Sequence, residues 1–352
     1  MAIRVFLVED SPIALHILEQ ILQAAPGLEV VGTAQNGKDA LLRIPESKPD
    51  VICTDLYMKE MDGVELTRQI MARYPRPILV ISVAVGQGNE QNAFQLLQAG
   101  AIDVFPKPGT GLIADYDRGQ LINKIKVLAG VKVFTRPLRP TLGTPTNGQS
   151  SGQPSSPPIK FQQNGKYTII GIGASTGGPQ AIAKILSKLP GNFPLPILCT
   201  QHISMGFLEG LVSWIRQECA LKVKIGETGE TPQPGVVYFA PDQCNLELDR
   251  RGKLLLSAPT ASERHCPSVN VMLRSLALVF GQEAIGILLT GMGDDGADGM
   301  RCLAAAGGLT IAQDEATCIV YGMPKEAIAL GAVQHTLAID AIGESLVTYC
   351  RR

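Results

Sequence analysis

The sequence predicts two α/β domains in tandem, each a parallel sheet covered by helices. Three observations carry this. Short apolar runs alternate with amphipathic stretches along both halves of the chain, the pattern of parallel strands joined by crossover helices. A segment dominated by Pro, Gly, Ser and Thr (RPLRPTLGTPTNGQSSGQPSSPP, 136–158) separates the halves, and it has too little apolar surface to offset the entropy of ordering it. The length, 352 residues, suits two domains that each bury a core. The expected division is residues 1–128, a linker over 129–165, and residues 166–352.

In the first domain the apolar runs Ile3–Val8, Leu28–Ala34, Val51–Thr54, Ile78–Ser82 and Ile102–Phe105 read as strands. Helical periodicity lies between them, as in Ile13–Ala24 and Gly63–Arg73, giving a five-stranded doubly wound sheet. In the second domain Thr168–Gly173, Leu195–Thr200, Val236–Ala240, Ala284–Thr290 and Leu309–Ala312 read as strands, with helices over Pro179–Leu189 and Val269–Phe280.

Composition excludes several classes of function. The formal net charge is −1, so no broad basic field exists to hold nucleic acid or an anionic membrane. Strand–helix alternation without a helix-turn-helix or basic cluster disfavours a DNA-binding regulator. The longest charge-free stretches are broken by Gly, Pro and polar residues, so no membrane insertion is expected. The N-terminus lacks a signal-peptide layout. Eight cysteines, at 53, 199, 219, 244, 266, 302, 318 and 350, form no CxxC pair. They read as small, mostly buried residues of a protein in a reducing cytoplasm, not as zinc ligands.

Chemistry gathers at predicted strand ends. Glu9 and Asp10 follow the first strand, Asp55 the third, Ser82 ends the fourth and Lys107 follows the fifth. Ligands of open parallel sheets bind outside these carboxyl ends. Three carboxylates suit a hard divalent cation, Mg²⁺ above all, and a lysine with a hydroxyl suits a phosphoryl group. The motifs VEDS (8–11), DLYMKEMDG (55–63), VIS (80–82) and GAIDVFPKP (100–108) resemble the receiver domain of two-component response regulators, a flavodoxin-like fold. The resemblance implies that Asp55 accepts phosphate, that Glu9 and Asp10 help it hold Mg²⁺, and that Ser82 and Lys107 contact the phosphoryl group. Pro106 and Val104 depart from the family pattern, Val104 standing where an aromatic switch residue is common.

The second domain opens on a strand that runs into a glycine-rich turn, GIGASTGGP at 171–179. A dinucleotide-binding loop is one reading. The third glycine, however, falls one place late, and the next strand lacks the terminal acid that would hold a ribose. The other reading places Ser175 as a nucleophile beside a helix N-terminus, where backbone N–H groups can stabilise an oxyanion, although GxSxG is absent. Serine needs a base. Of four histidines, His16 lies in a helix of the first domain and His335 follows the last expected core strand. His202 ends the strand neighbouring that of Ser175, and His265, in SERHCPSV, is a weaker rival. The orienting carboxylate falls in GMGDDGADG (291–299), among Asp294, Asp295 and Asp298.

GIGASTGGP (171–179), TQH (200–202), ERHCPSVNVML (263–273), ILLTGMGDDGADGM (287–300) and AQDEATCIVYGMPKEAI (312–328) resemble the catalytic domain of the chemotaxis protein-glutamate methylesterases. The resemblance implies Ser175 as nucleophile, His202 as general base and Asp295 as its orienting acid, with Thr176 and Met292 lining the site. Cys266 replaces an arginine common in that family. It further implies demethylation, and deamidation of certain glutamines, on methyl-accepting chemotaxis receptors, with no cofactor for ester hydrolysis. A chemotaxis histidine kinase is the implied phosphoryl donor, and the unphosphorylated receiver is expected to restrain the catalytic domain.

Overall fold

The computed structural model describes residues 2–82, 90–107, 115–135, 167–261 and 263–349. The chain divides into two compact units. The predicted linker lies outside the described residues from 136 to 165.

The first unit runs β1 (Ile3–Val8), α1 (Pro12–Gln23), β2 (Leu28–Ala34), α2 (Gly37–Ser47), β3 (Val51–Thr54), α3 (Gly63–Arg73), β4 (Ile78–Ser82), α4 (Glu90–Ala99), β5 (Asp103–Pro106) and α5 (Asp115–Leu128). The strands form one parallel sheet in the order β2-β1-β3-β4-β5. Four of the predicted strands have their expected bounds, and the fifth is shifted by one residue. β3 and β4 are buried throughout, as unbroken apolar runs covered on both faces must be. Local chemistry starts the helices: the side chains of Ser11, Asn36 and Asp62 accept from Ala14 N, Asp39 N and Glu65 N, satisfying amides that have no intrahelical partner. The chain order reverses between β1 and β3, which opens a crevice at their carboxyl ends.

The second unit runs β6 (Ile169–Ala174), α6 (Gly178–Leu186), β7 (Ile197–Gln201), α7 (Leu208–Glu218), β8 (Lys222–Ile225), β9 (Val236–Phe239), β10 (Asn245–Leu248), β11 (Leu254–Ser257), α8 (Val269–Val279), β12 (Ala284–Leu288), α9 (Ala297–Ala305), β13 (Leu309–Gln313), α10 (Met323–Ala329), β14 (His335–Leu337) and α11 (Ile339–Tyr349). Seven parallel strands are ordered β14-β13-β12-β6-β7-β9-β8, and β10 and β11 form a separate antiparallel pair. The reversal lies between β6 and β12. One expectation is corrected: His335 does not follow the last core strand but begins β14, paired with β13.

The glycines of the first turn acquire a packing role. A Cβ at Gly171 would stand 2.4 Å from Leu276 Cδ1, and one at Gly173 would stand 2.2 Å from Val269 Cγ1. Both glycines let α8 lie closer to β6 than any side chain would permit. That requirement accounts for the GxG without a nucleotide.

No described helix is long and apolar enough to cross a membrane.

Candidate functional site

Two sites form, each at the switch point of its own sheet. In the first unit Glu9 and Asp55 are buried, and Lys107 Nζ reaches both, at 2.8 Å from Glu9 Oε1 and 2.7 Å from Asp55 Oδ2. Ligand atoms of Glu9, Asp10 and Asp55 all lie within 4.8 Å of one another. Glu9 Oε1 also accepts from Ser11 N and Asp55 Oδ1 from Leu56 N, while the buried Glu9 Oε2 has no hydrogen-bond partner among the described residues. Burial raises the Glu9 carboxyl above its ordinary range, helped by the charge of Asp55 and opposed by Lys107 and Ser11. Burial works against the charge on Lys107, but its bonds to Asp55 and Glu9 prevail and raise its proton affinity. An orphaned carboxylate oxygen in a cluster of three acids fits a hard cation. Ser82 is buried beside it, and its carbonyl accepts from Lys107 N. Val104 is buried in β5.

In the second unit Ser175 leaves β6, His202 leaves β7 and Asp295 sits in the loop after β12. The strand ends are cross-tied. Ser175 N donates to Thr290 O at 3.0 Å and His202 N to Ala174 O at 2.9 Å. The Gln201 amide donates to both Ser175 O and His202 O, each at 2.8 Å. Thr290 Oγ1 donates to Thr176 O at 3.0 Å. Gly291 lies directly against Ser175, since a Cβ there would meet Ser175 Cβ at 2.7 Å. Thr176 and Met292 therefore flank Ser175, Thr176 buried and Met292 exposed.

The three acids of the DDGAD loop part company. Asp294 is exposed. Asp298 pairs with Arg301 at 2.8 Å on the first turn of α9. Asp295, flanked by Gly293 and Gly296 in left-handed conformation (φ +88° and +97°), turns inward and is only 4 % exposed. Its Oδ2 accepts from His202 Nε2 at 2.8 Å and Val269 N at 2.7 Å. Its Oδ1 accepts from Ser268 Oγ and Asn270 N, both at 3.0 Å. Burial alone would raise this carboxyl, but His202 and the first amides of α8 outweigh it and hold it at about 2. A carboxylate so held only accepts, so His202 Nε2 carries the proton it donates. The Ser175 hydroxyl is half-buried and makes no hydrogen bond among the described residues, a looseness common before substrate binds.

The residue pattern paired Ser175 with His202 and left the acid open; of the three candidate acids, Asp295 is the one hydrogen-bonded to His202. The fold also assembles Gln201, Thr290 and Ser268, to which the pattern gave no role, and stacks the ring of the rival base candidate, His265, on that of His202. His265 carried a motif signal. The others lie within the motifs TQH, ERHCPSVNVML and ILLTGMGDDGADGM, but they act through hydrogen bonds between distant segments, which a motif does not reveal.

The comparisons agree with this architecture. The CheB methylesterase family matches residues 170–346, and the response regulator receiver domain family matches 5–113. The chain is 42 % identical over 345 residues to protein-glutamate methylesterase/protein-glutamine glutaminase 3 of Hahella chejuensis, covering 97 % of each chain. It is 38 % identical over 347 residues to the Syntrophus aciditrophicus enzyme 1 of the same name, covering 98 % of this chain and 97 % of that one. The crystal structure of the Thermotoga maritima CheB methylesterase catalytic domain covers 52 % of this chain and 98 % of its own, at 37 % identity and a TM-score of 0.50. A receiver sheet followed by a seven-stranded catalytic sheet, with relatives matched end to end, places the chain in the CheB methylesterase family.

Proposed function

We propose that the protein is a phosphorylation-regulated hydrolase that removes glutamate methyl esters from methyl-accepting chemotaxis receptors, and that it deamidates specific receptor glutamines through the same acyl intermediate. The observation that carries the reading is the His202–Asp295 hydrogen bond at the carboxyl edge of the sheet, beside Ser175. Ser175 Oγ attacks the γ-carbonyl carbon while His202 Nδ1 takes its proton. Asp295 holds the ring and steadies the imidazolium. The amides of Thr176 and Met292 make no hydrogen bond among the described residues, and we assign them to the oxyanion. Methanol, or ammonia from a glutamine, leaves with the proton from His202. Water, deprotonated by the same ring, then releases the glutamate. No cofactor enters these steps.

In the receiver domain Asp55 is the phosphate acceptor, with Glu9, Asp10 and Asp55 as Mg²⁺ ligands. These residues would hold the ion, which would supply positive charge to the phosphoryl transfer. Lys107 and Ser82 contact the phosphoryl group, which a chemotaxis histidine kinase supplies in the cytoplasm. The division at 1–128, 129–165 and 166–352 makes the linker the route by which a doubly charged group at Asp55 relieves restraint on the catalytic domain.

The test is methanol release from methylated receptor fragments. Ser175→Ala should lower kcat by about 10⁴-fold or more while Asp55 is still phosphorylated. Retained release would overturn the serine assignment.

A further inference from the structure

His202 is pinned at one edge. Its Nε2 meets Asp295 at 2.8 Å, and its Cβ leaves from the opposite end of the ring. The motion left is a roll about the line joining these points. Such a roll carries Nδ1 away from the serine without breaking the Asp295 bond. The imidazole of His265 lies on the face of the His202 ring, with centroids 4.8 Å apart and planes 17° from parallel. A stacked plane opposes that roll.

His265 is itself firmly placed. It sits in the loop before α8, and the buried Asn245 grips this loop on both sides. Asn245 Nδ2 donates to Glu263 Oε2 at 2.7 Å, and Asn245 Oδ1 accepts from Ser268 N at 2.8 Å. Glu263 Oε2 also accepts from Thr260 N at 3.2 Å. Ser268 then donates to Asp295, so one network sets both the carboxylate and the stacked ring.

We propose that His265 is a positioning residue for ester hydrolysis, holding the plane of His202 and presenting a π face where positive charge develops. This rests on the Ser175–His202–Asp295 reading. The charged and titratable groups facing His265 are His202, Asp295, Asp294 and Arg264. Burial first, and then His202, hold its proton affinity below the ordinary histidine range, against the two aspartates. A neutral π face attracts a neighbouring imidazolium, whereas a cation there would oppose it.

The experiment is steady-state methanol release by the full-length protein across pH, with three substitutions at His265. His265→Ala should lower kcat about tenfold or more, the scale of a misaligned catalytic group, with KM nearly unchanged. His265→Phe, which restores a plane, should recover most of that loss. His265→Arg stacks but carries a fixed charge. It should keep kcat low and move the acid limb of kcat/KM to lower pH than in His265→Phe, because a neighbouring cation favours neutral His202. A loss confined to KM, a Phe variant no better than Ala, or coincident Arg and Phe profiles would each overturn the proposal. Trp214 emission monitors folding, and should Ala melt early, the Phe–Arg pair decides. Ser175→Ala is run alongside: if it stays active the underlying reading fails, whereas a dead Ser175→Ala with a fully active His265→Ala refutes the role of His265 alone.

Discussion

Asp295 shows how much one side chain can be asked to do. Its carboxylate accepts from His202, from Ser268 and from the amides that open α8, so it orients the ring and caps a helix at once. Folding lowers its carboxyl from 3.8 to about 2. A group depressed in this way stabilises the folded state above its unfolded value, here by roughly 2 kcal/mol, and loses that contribution as pH falls through the folded value. Asp295→Asn should lower kcat by about 10⁴-fold and, by turning an amide toward helix donors, cost about 1–3 kcal/mol of stability. Trp214, the chain's single tryptophan, is buried on α7, so denaturation followed by its fluorescence reads the catalytic domain alone. The gap between wild type and Asp295→Asn should narrow between pH 4 and pH 2. The placement of Ser175 and His202 at neighbouring strand ends was legible in the sequence because strand ends are legible. Asp295 was not separable from Asp294 and Asp298 without the motif resemblance, because backbone turns at Gly293 and Gly296 decide which of the three faces inward.

At the scale of elements, the catalytic sheet is organised around the approach of α8 to β6. Gly171 and Gly173 make room for it, and α8 delivers Val269 N and Asn270 N to Asp295. Gly173→Ala must push Val269 away, and overpacking of this kind costs about 1–3 kcal/mol. A thermal melt followed by Trp214 should show the loss, and methanol release should fall further than the melt predicts, because the displaced helix end carries amides that hold Asp295. The glycine pattern was visible in the sequence, but two explanations fitted it until the helix facing it was known. The long apolar runs of the central strands were equally visible. β8, β14 and the β10–β11 pair were not: they are three or four residues long, and none carries an apolar run as long as that of β9. That gap hid Asn245, the side chain on β10 that fixes the His265 loop.

At the scale of the whole molecule, two sheets of different size place their chemistry by one rule, at the carboxyl ends beside a reversal of strand order. The two sites differ in what they need. The receiver cluster is built of acids around an orphaned oxygen, whereas the proposed hydrolytic one sets a serine, a histidine and a single inward-facing acid side by side. Supplying Mg²⁺ and a small acyl phosphate should therefore raise methanol release. A chelator should abolish the increase and leave the basal rate, and a basal rate that fell with it would place a metal in the hydrolytic site. There is a further use for the capped helix. Amides in the first turn of a helix ordinarily exchange with solvent quickly, having no carbonyl to hold them. Those of Val269 and Asn270 are locked to the carboxylate that also accepts from His202, so their deuterium uptake in the intact, unlabelled protein is a clock for the integrity of the proposed triad. It can be read without substrate and in any state of the receiver.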